Sequence, residues 1–260
     1  MIFQKSFKII SNNKITDNCY RLEIFSPEIA KTAEPGQFVH IRIEDTYRLF
    51  LRRPFAVCRL KNEEVFEILY KVRGLGTRIL SSKKRGDRLD IIGPLGKGFE
   101  IRDIDKEALV VAGGIGIAPL FFLINRLKEQ NRKITTFIGA SCKGNLLLYE
   151  DIKRLNIKSI IATEDGSLGR KARVTEVLTE FLEGIGSNSD YEVFASGPKE
   201  MLKVIAKSCQ RLDIPAQLSL DEIIACGVGV CLGCSVKTKQ GYKLVCKDGP
   251  VFRADDLLWD

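Results

Sequence analysis

Three parts in series are predicted: a six-stranded antiparallel β-barrel over residues 1–100, a parallel α/β domain over 101–212, and a short cysteine-bearing extension over 213–260. The barrel follows from short apolar runs spaced by turn residues, because closing such strands on themselves hides their edges. The α/β domain follows from continuous apolar runs alternating with helical patterns, since strands buried on both faces belong to parallel sheets. The extension follows from four cysteines crowded into the last 35 residues.

In the barrel the strand patterns are Ser6 to Ile10, Cys19 to Phe25, Gln37 to Ile43, Ala56 to Leu60, Val65 to Val72 and Arg88 to Ile92, with a brief helix over Thr77 to Ser82. From Ala108 the strands are Ala108 to Ala112, Ile134 to Ala140, Ser159 to Thr163 and Tyr191 to Ser196. Helices alternate with them: one through Lys128, one near Tyr149 to Leu155, then Val174 to Leu182 and Lys199 to Arg211. The regular pattern ends around Asp213. The uncharged run Ala108 to Asn125 has the length of a membrane helix, but three glycines and Pro119 break its middle, so it reads as strand, turn and helix.

The formal charge is +8, yet residues 213–260 hold five Lys/Arg against seven Asp/Glu, so the basic excess is regional. No Lys/Arg-rich run or nucleic-acid motif accompanies it, which points to anionic cofactors or a protein partner in place of DNA or RNA. Lys5 and Lys8 sit in an alternating pattern at the N-terminus with no apolar export segment, and a cytoplasmic location is expected. Eight cysteines in that setting argue for metal over disulfides. Cys19, Cys58, Cys142 and Cys209 fall in β or helical patterns and are expected to be small core residues.

The strongest chemical signal is Cys226-x4-Cys231-x2-Cys234-x11-Cys246. Three thiols in a tight glycine-rich loop plus a distant fourth is the plant-type [2Fe–2S] spacing, and thiolates are the soft anionic ligands iron takes. A structural zinc site is the alternative, although zinc ribbons usually pair two short C-x2-C knuckles.

A second signal is the buried strand that runs into Gly113, Gly114 and Gly116 and then a helix with Pro119 in its first turn. It matches the dinucleotide fingerprint only in part, because Pro119 stands where the third glycine would fall. Small residues still admit a pyrophosphate at a helix N-terminus. A second small-residue turn, Ser196, Gly197 and Pro198, ends the last strand of the same sheet. Ligands of such sheets sit at the carboxyl ends of strands, so the two turns together mark a nucleotide cleft. In the barrel, an arginine of the Arg52-Arg53 pair, with Gly76 and Thr77 opening a short helix, gives a separate anion site.

The one histidine, His40, shares a strand face with Arg42, opposite Val39, Ile41 and Ile43, and reads as an ordinary strand residue. No Ser-His-Asp or helical His pair is available, whereas hydride and electron transfer need neither.

Together RRPFAV, LYKVRGLGT, GPLGKGF, VVAGGIGIAPL, ASGPKEML and the four-cysteine tail resemble the ferredoxin-NAD(P)H reductase superfamily over nearly the whole chain. Within it the likeness is to electron-transfer subunits of type B dihydroorotate dehydrogenases. Their cluster also lies in a short C-terminal extension, and their ending is similar to CKDGPVF around Cys246. The resemblance implies FAD in the barrel, with Arg53, Pro54, Phe55 and Ala56 along the flavin, Leu69, Tyr70 and Lys71 beside it, and Gly76 and Thr77 at the pyrophosphate. It implies NAD across Gly113, Gly114, Gly116 and Pro119 and across Ser196, Gly197 and Pro198, and a [2Fe–2S] cluster on Cys226, Cys231, Cys234 and Cys246.

The implied partner is an FMN-containing catalytic subunit that oxidises dihydroorotate in pyrimidine biosynthesis, in a heterotetramer of two each. Two positions depart from the pattern: Ala56 replaces a Ser or Thr hydroxyl near the flavin edge, and Ser196 replaces a Cys beside the nicotinamide. Subunits of electron-bifurcating and sulfide dehydrogenases commonly carry Asp at the first ligand position, where this chain has Cys226. An NAD(P)H-dependent ferredoxin or sulfur-metabolism reductase, and a nonenzymatic flavin-based redox-sensing module, are the alternatives. Glu164 and Asp165 favour NAD over NADP, while Arg170, Lys171 and Arg173 argue the other way.

Overall fold

The computed structural model describes residues 1–187 and 190–259. Six strands close into an antiparallel barrel: β1 (Phe3–Lys14), β2 (Cys19–Phe25), β3 (Phe38–Arg42), β4 (Arg53–Leu60), β5 (Val65–Lys71) and β6 (Arg88–Leu95). They are hydrogen-bonded in the order β1-β2-β5-β4-β3-β6. Inward residues such as Ile9, Leu22, Ile41, Val57 and Ile68 are fully buried and form one core. Helix α1 (Pro27–Thr32) caps one end and was not predicted; Ser26 starts it by accepting from the Ile29 amide at 3.2 Å. Helix α2 (Leu75–Ser82) begins two residues before the predicted Thr77.

The second unit is a sheet with helices packed against it. Its strands are β7 (Glu107–Gly113), β8 (Ile134–Ala140), β9 (Lys158–Thr163), β10 (Arg170–Lys171) and β11 (Tyr191–Ser196). Between and after them run α3 (Ile117–Glu129), α4 (Tyr149–Arg154), α5 (Val174–Ile185) and α6 (Lys199–Arg211). Every residue of β7 is buried, as its unbroken apolar run predicts.

The sheet does not stop at Asp213. Two further strands, β12 (Ala216–Ser219) and, after the short hairpin β13 (Ser235–Thr238) and β14 (Gly241–Leu244), β15 (Val251–Arg253), complete the order β10-β9-β8-β7-β11-β12-β15. β12 runs parallel to β11 and β15 antiparallel to β12, so the cysteine segment is a long excursion between two strands of this sheet. No helix among the described residues is long and apolar enough to cross a membrane.

Barrel and sheet are locked together. Phe122 of α3 is 4% exposed and joins the barrel core, while the Arg59 guanidinium lies 5.6 Å above the Phe121 ring. Alongside, Arg59 of β4 donates to Glu67 at 2.8 Å and to Asp151 of α4 at 3.2 Å, and Arg21 of β2 donates to Asp151 at 2.7 Å. Burial pushes both carboxyls up. For Glu67 it wins over the pull of Arg59 and Arg21, whereas for Asp151 hydrogen bonds and charge from Arg21 and Arg59 outweigh it and hold the carboxyl below its usual range.

The carboxylate of Asp151 therefore stabilises the fold above its ordinary value of about 3.9, and that contribution fades as pH falls through the lower folded value. Asp151→Ala leaves Arg21 and Arg59 to share Glu67 alone at the domain junction and is expected to cost about 1–3 kcal/mol. Thermal melts at neutral pH should show the loss, and the gap between variant and parent should narrow well below pH 4.

Candidate functional site: a two-turn cleft beside a four-thiol loop

A cleft of about 840 Å³ opens between the barrel and the carboxyl ends of the sheet strands. All sixteen residues expected at cofactors line it: Arg53, Pro54, Phe55 and Ala56 from β4; Leu69, Tyr70 and Lys71 from β5; Gly76 and Thr77 from α2; Gly113, Gly114, Gly116 and Pro119 from the first turn; Ser196, Gly197 and Pro198 from the second. The two turns touch. A Cβ on Gly116 would collide with the Ser196 carbonyl and stand 2.6 Å from the Gly197 nitrogen, so glycine there is a condition of their approach.

On the barrel side the start of α2 presents amides that no carbonyl of the helix takes. The Thr77 hydroxyl accepts from the amides of Arg73 and Gly74 at 2.9 and 3.2 Å, and the Arg78 amide is the first to reach a backbone acceptor within the helix, Gly74 O at 3.0 Å. The intervening amides face the cleft end of the helix. A Cβ on Gly76 would lie 3.5 Å from Arg53 Nε, which places the guanidinium over the same turn. Arg53 itself is held by the Leu51 carbonyl at 2.6 Å. Helix amides plus a guanidinium fit a pyrophosphate, and Arg53→Ala is expected to weaken flavin retention roughly 10- to 100-fold, the worth of a charge-assisted pair. Flavin fluorescence on serial dilution reads this directly.

Tyr70 has a second role. Its ring is 2% exposed, stacks on Tyr20 at 5.6 Å and donates through its hydroxyl to Asn12 at 3.0 Å, so it is a core residue presenting one edge to the cleft. Sequence reasoning missed Phe38 and the stretch Ser219 to Glu222 with Ile224 and Pro250, which form the wall nearest the cysteines. Phe38 belongs to a strand legible in the sequence, but its outward face is not linked there to the cleft, while the others lie in or beside β12 and β15, strands too short to read from the chain. On the nucleotide side Asp165 accepts from the Ser167 amide and hydroxyl at 2.9 and 2.7 Å, and Arg170 pairs with Glu180 at 2.8 Å. Part of the charge balance weighed for NAD against NADP is thus spent within the protein.

The four tail thiols lie just behind that wall. Cys226 Sγ accepts from the amides of Val228, Val230 and Cys231 at 3.5, 3.4 and 3.5 Å, and Cys234 Sγ accepts from the Cys246 amide at 3.4 Å. Burial raises the Cys226 thiol, but these amides outweigh it and bring it down to about 6. Cys246 moves the other way, pushed up to about 12 by burial and by Cys234, and needs a cation's charge to ionise.

The thiols pair off, Cys226 with Cys231 and Cys234 with Cys246. Two pairs, with amides aimed at sulfur, fit a two-iron cluster better than a zinc ion. Of the other cysteines, Cys19, Cys58 and Cys209 are buried as expected; Cys142 is corrected to half-exposed, because it caps a loop after β8.

His40 stands in strand β3 opposite Val39 and Ile41, as its alternation indicates, and the structure adds what covers it. Its ring is fully buried, covered by the cysteine loop, and burial drives it down to about 4, so it is neutral.

An electron transfer subunit of dihydroorotate dehydrogenase B (NAD(+)) from Caldanaerobacter subterraneus subsp. tengcongensis is 39% identical over 263 residues, covering 100% of both chains. Its counterpart from Desulforamulus reducens is 36% identical over 258 residues, with 97% of each chain covered. The chain belongs to this family. Among dihydroorotate dehydrogenase B electron transfer subunits the description "iron-sulfur cluster binding domain of dihydroorotate dehydrogenase B" fits residues 221–258 here, the segment that holds all four thiols. The description "oxidoreductase NAD-binding domain" fits residues 110–207, which contain both glycine turns.

The chain is accordingly an electron-transfer oxidoreductase subunit of ferredoxin reductase-like fold. A solved structure described as an NADH-dependent reduced ferredoxin-NADP oxidoreductase, studied for flavin-based electron bifurcation, superposes with a TM-score of 0.87 at 34% identity, covering 98% of this chain and 90% of that one. A ferredoxin NADP+ reductase from Neisseria gonorrhoeae shares the fold at a TM-score of 0.67 and 16% identity, over 80% of this chain and 91% of that one.

Proposed function

We propose that the chain passes electrons between a dihydroorotate-oxidising, FMN-containing partner and NAD+, with FAD in the cleft and a [2Fe–2S] cluster on Cys226, Cys231, Cys234 and Cys246, as half of a cytoplasmic heterotetramer of two subunits each. The observation that carries it is adjacency: Ser219 to Glu222, Ile224 and Pro250 wall the cleft and lead directly into the cysteine loop. Flavin supplies the needed conversion, since it takes or gives two electrons as hydride with nicotinamide and one at a time with iron.

This chain's residues do the holding. Arg53 and the first amides of α2 would hold a flavin pyrophosphate, residues of β4 and β5 would lie along its ring, and the touching turns at Gly116 and Ser196 to Pro198 would receive the nicotinamide nucleotide. Ala56 lines the cleft and brings no hydroxyl, so a polar contact to the flavin there would have to come from backbone. Residues 1–100, 101–212 and 213–260 serve flavin, NAD and cluster in turn, with β12 and β15 shared between the last two. Exposed Val228, Val230 and Leu232 around the thiols suit an apolar partner face.

Anaerobic protein should contain flavin, iron and sulfide and oxidise NADH with artificial acceptors. It should make no orotate until an FMN subunit is added. Zinc without flavin, or orotate from the chain alone, would refute the assignment. The 34%-identical oxidoreductase motivates a second reading, in which reduced ferredoxin is the electron source. Reduction of NAD+ by ferredoxin, with none by dihydroorotate plus the FMN subunit, would select it.

A further inference from the structure

The outer face of β3 separates the cleft from the thiol loop, and it carries the single histidine. Val39 and Ile41 point into the barrel core, which turns Phe38 and His40 outward. Phe38 lines the cleft and also belongs to the buried cluster that includes Cys234, Val245 and Cys246. His40 is paired in the ladder with Pro54, a cleft residue, and its ring stands edge-on to Phe38 at 6.5 Å. On its far side lies Gly227, the residue after the first cysteine. A Cβ on Gly227 would overlap His40 Nδ1 and sit 3.2 Å from Cγ and from Cε1.

This contact is unusual chemically. Both ring nitrogens are buried and neither makes a hydrogen bond of ordinary geometry, although backbone groups of Cys226 and Arg52 lie close enough to favour a proton on the ring. A buried imidazole with such partners costs stability that a leucine would not, so a barrel strand built only for packing gains nothing from it. Gly227 answers the ring in kind: its φ of +75° and missing Cβ let the loop come down onto the imidazole. Cys234 and Cys246 are anchored in the hydrophobic core, whereas Cys226 sits on a loop whose neighbours Val228, Val230 and Leu232 are exposed. Cys231 lies on the same loop and is exposed, so the Cys226 end, where Gly227 meets His40, is where this loop rests on the barrel.

We propose that His40 is a positioning residue: its ring is the spacer that fixes the Cys226 end of the cluster loop against the strand pair forming the flavin wall, and so sets the flavin-to-cluster separation. The inference rests on the reading that the cleft holds flavin and the thiols hold a two-iron cluster. Single-electron transfer weakens steeply with distance, so a rigid spacer here tunes the rate without touching either reacting group.

The test uses the full chain, loaded anaerobically, as parent, His40→Ala, His40→Asn and the Gly227 variants. His40→Ala should keep its flavin and its cooperative unfolding, yet give a changed electron paramagnetic resonance line shape on reduction. It should also release iron to a chelator roughly tenfold faster, as loss of one buried side chain's packing frees the loop. His40→Asn, which returns part of the ring's bulk toward the Nδ1 position, should move both readouts back toward the parent. Gly227→Ala should load poorly, and His40→Ala with Gly227→Ala should regain part of that loss because the obstructing ring is gone. A His40→Ala protein with parental resonance and iron release overturns the inference alone. A parent with no two-iron spectrum overturns the cluster reading and the inference together.

Discussion

Cys246→Ser is expected to abolish single-electron output while leaving NADH oxidation by flavin dyes within about twofold of the parent. Even outer partners of a metal site cost ~10–100-fold when removed, and Cys246 is a proposed direct ligand, so partner-coupled turnover should fall by more than about 100-fold. The two activities part because of topology. Cys246 is 2% exposed and lies in the excursion between β12 and β15, so serine can occupy its volume without disturbing either strand or the glycine turns. Anaerobic iron analysis beside paired assays, one with the FMN partner and one with a two-electron dye, would show the split. Equal losses in both would mean that the thiol supports the cleft and not electron exit.

Gly116→Ala is expected to strike the other activity. The added carbon has no room against the Ser196 carbonyl and the Gly197 nitrogen, both backbone atoms that cannot swing aside. The turns must separate, and a displacement of about 1 Å at a reacting pair can cost ~10²-fold. Reduction of bound flavin by NADH, followed by stopped flow, should slow by about that factor while flavin content holds. Gly184→Ala is the control: its Cβ meets nothing within 4 Å in α5, so hydride transfer should be unchanged and the helix slightly firmer.

The chain announces its large elements openly. β2, β8, β11 and α6 begin and end where the residue pattern places them, because each is a long run with one period and clear stops. The short pieces are silent for a physical reason. Ala216–Ser219 and Val251–Arg253 span four and three residues, and what makes them strands is the bonding edge each one meets, β11 for the first and β12 for the second. α1 has six residues, too few to show a helical period, though Ser26 before Pro27 is a legible start signal.

The cofactor residues converge because turn chemistry is local and their order along the chain is readable. What covers His40 was illegible for the opposite reason: alternation says which face a side chain takes, but the residue on that face, Gly227, lies far along the chain. The same holds for Glu67, an acid on the outer side of a barrel strand that becomes fully buried only when α4 brings up Asp151.

Because β12 and β15 flank the thiol segment, the redox tail doubles as the selvedge of the nucleotide sheet. Cutting the chain at Asp213 to obtain a cluster-free reductase would strip that hem and leave β11, an interior strand, with a bare row of amides and carbonyls. Such a truncation should clump on expression, so the metal centre cannot be shed as a detachable cassette; point replacement of its thiols is the only clean way to silence it.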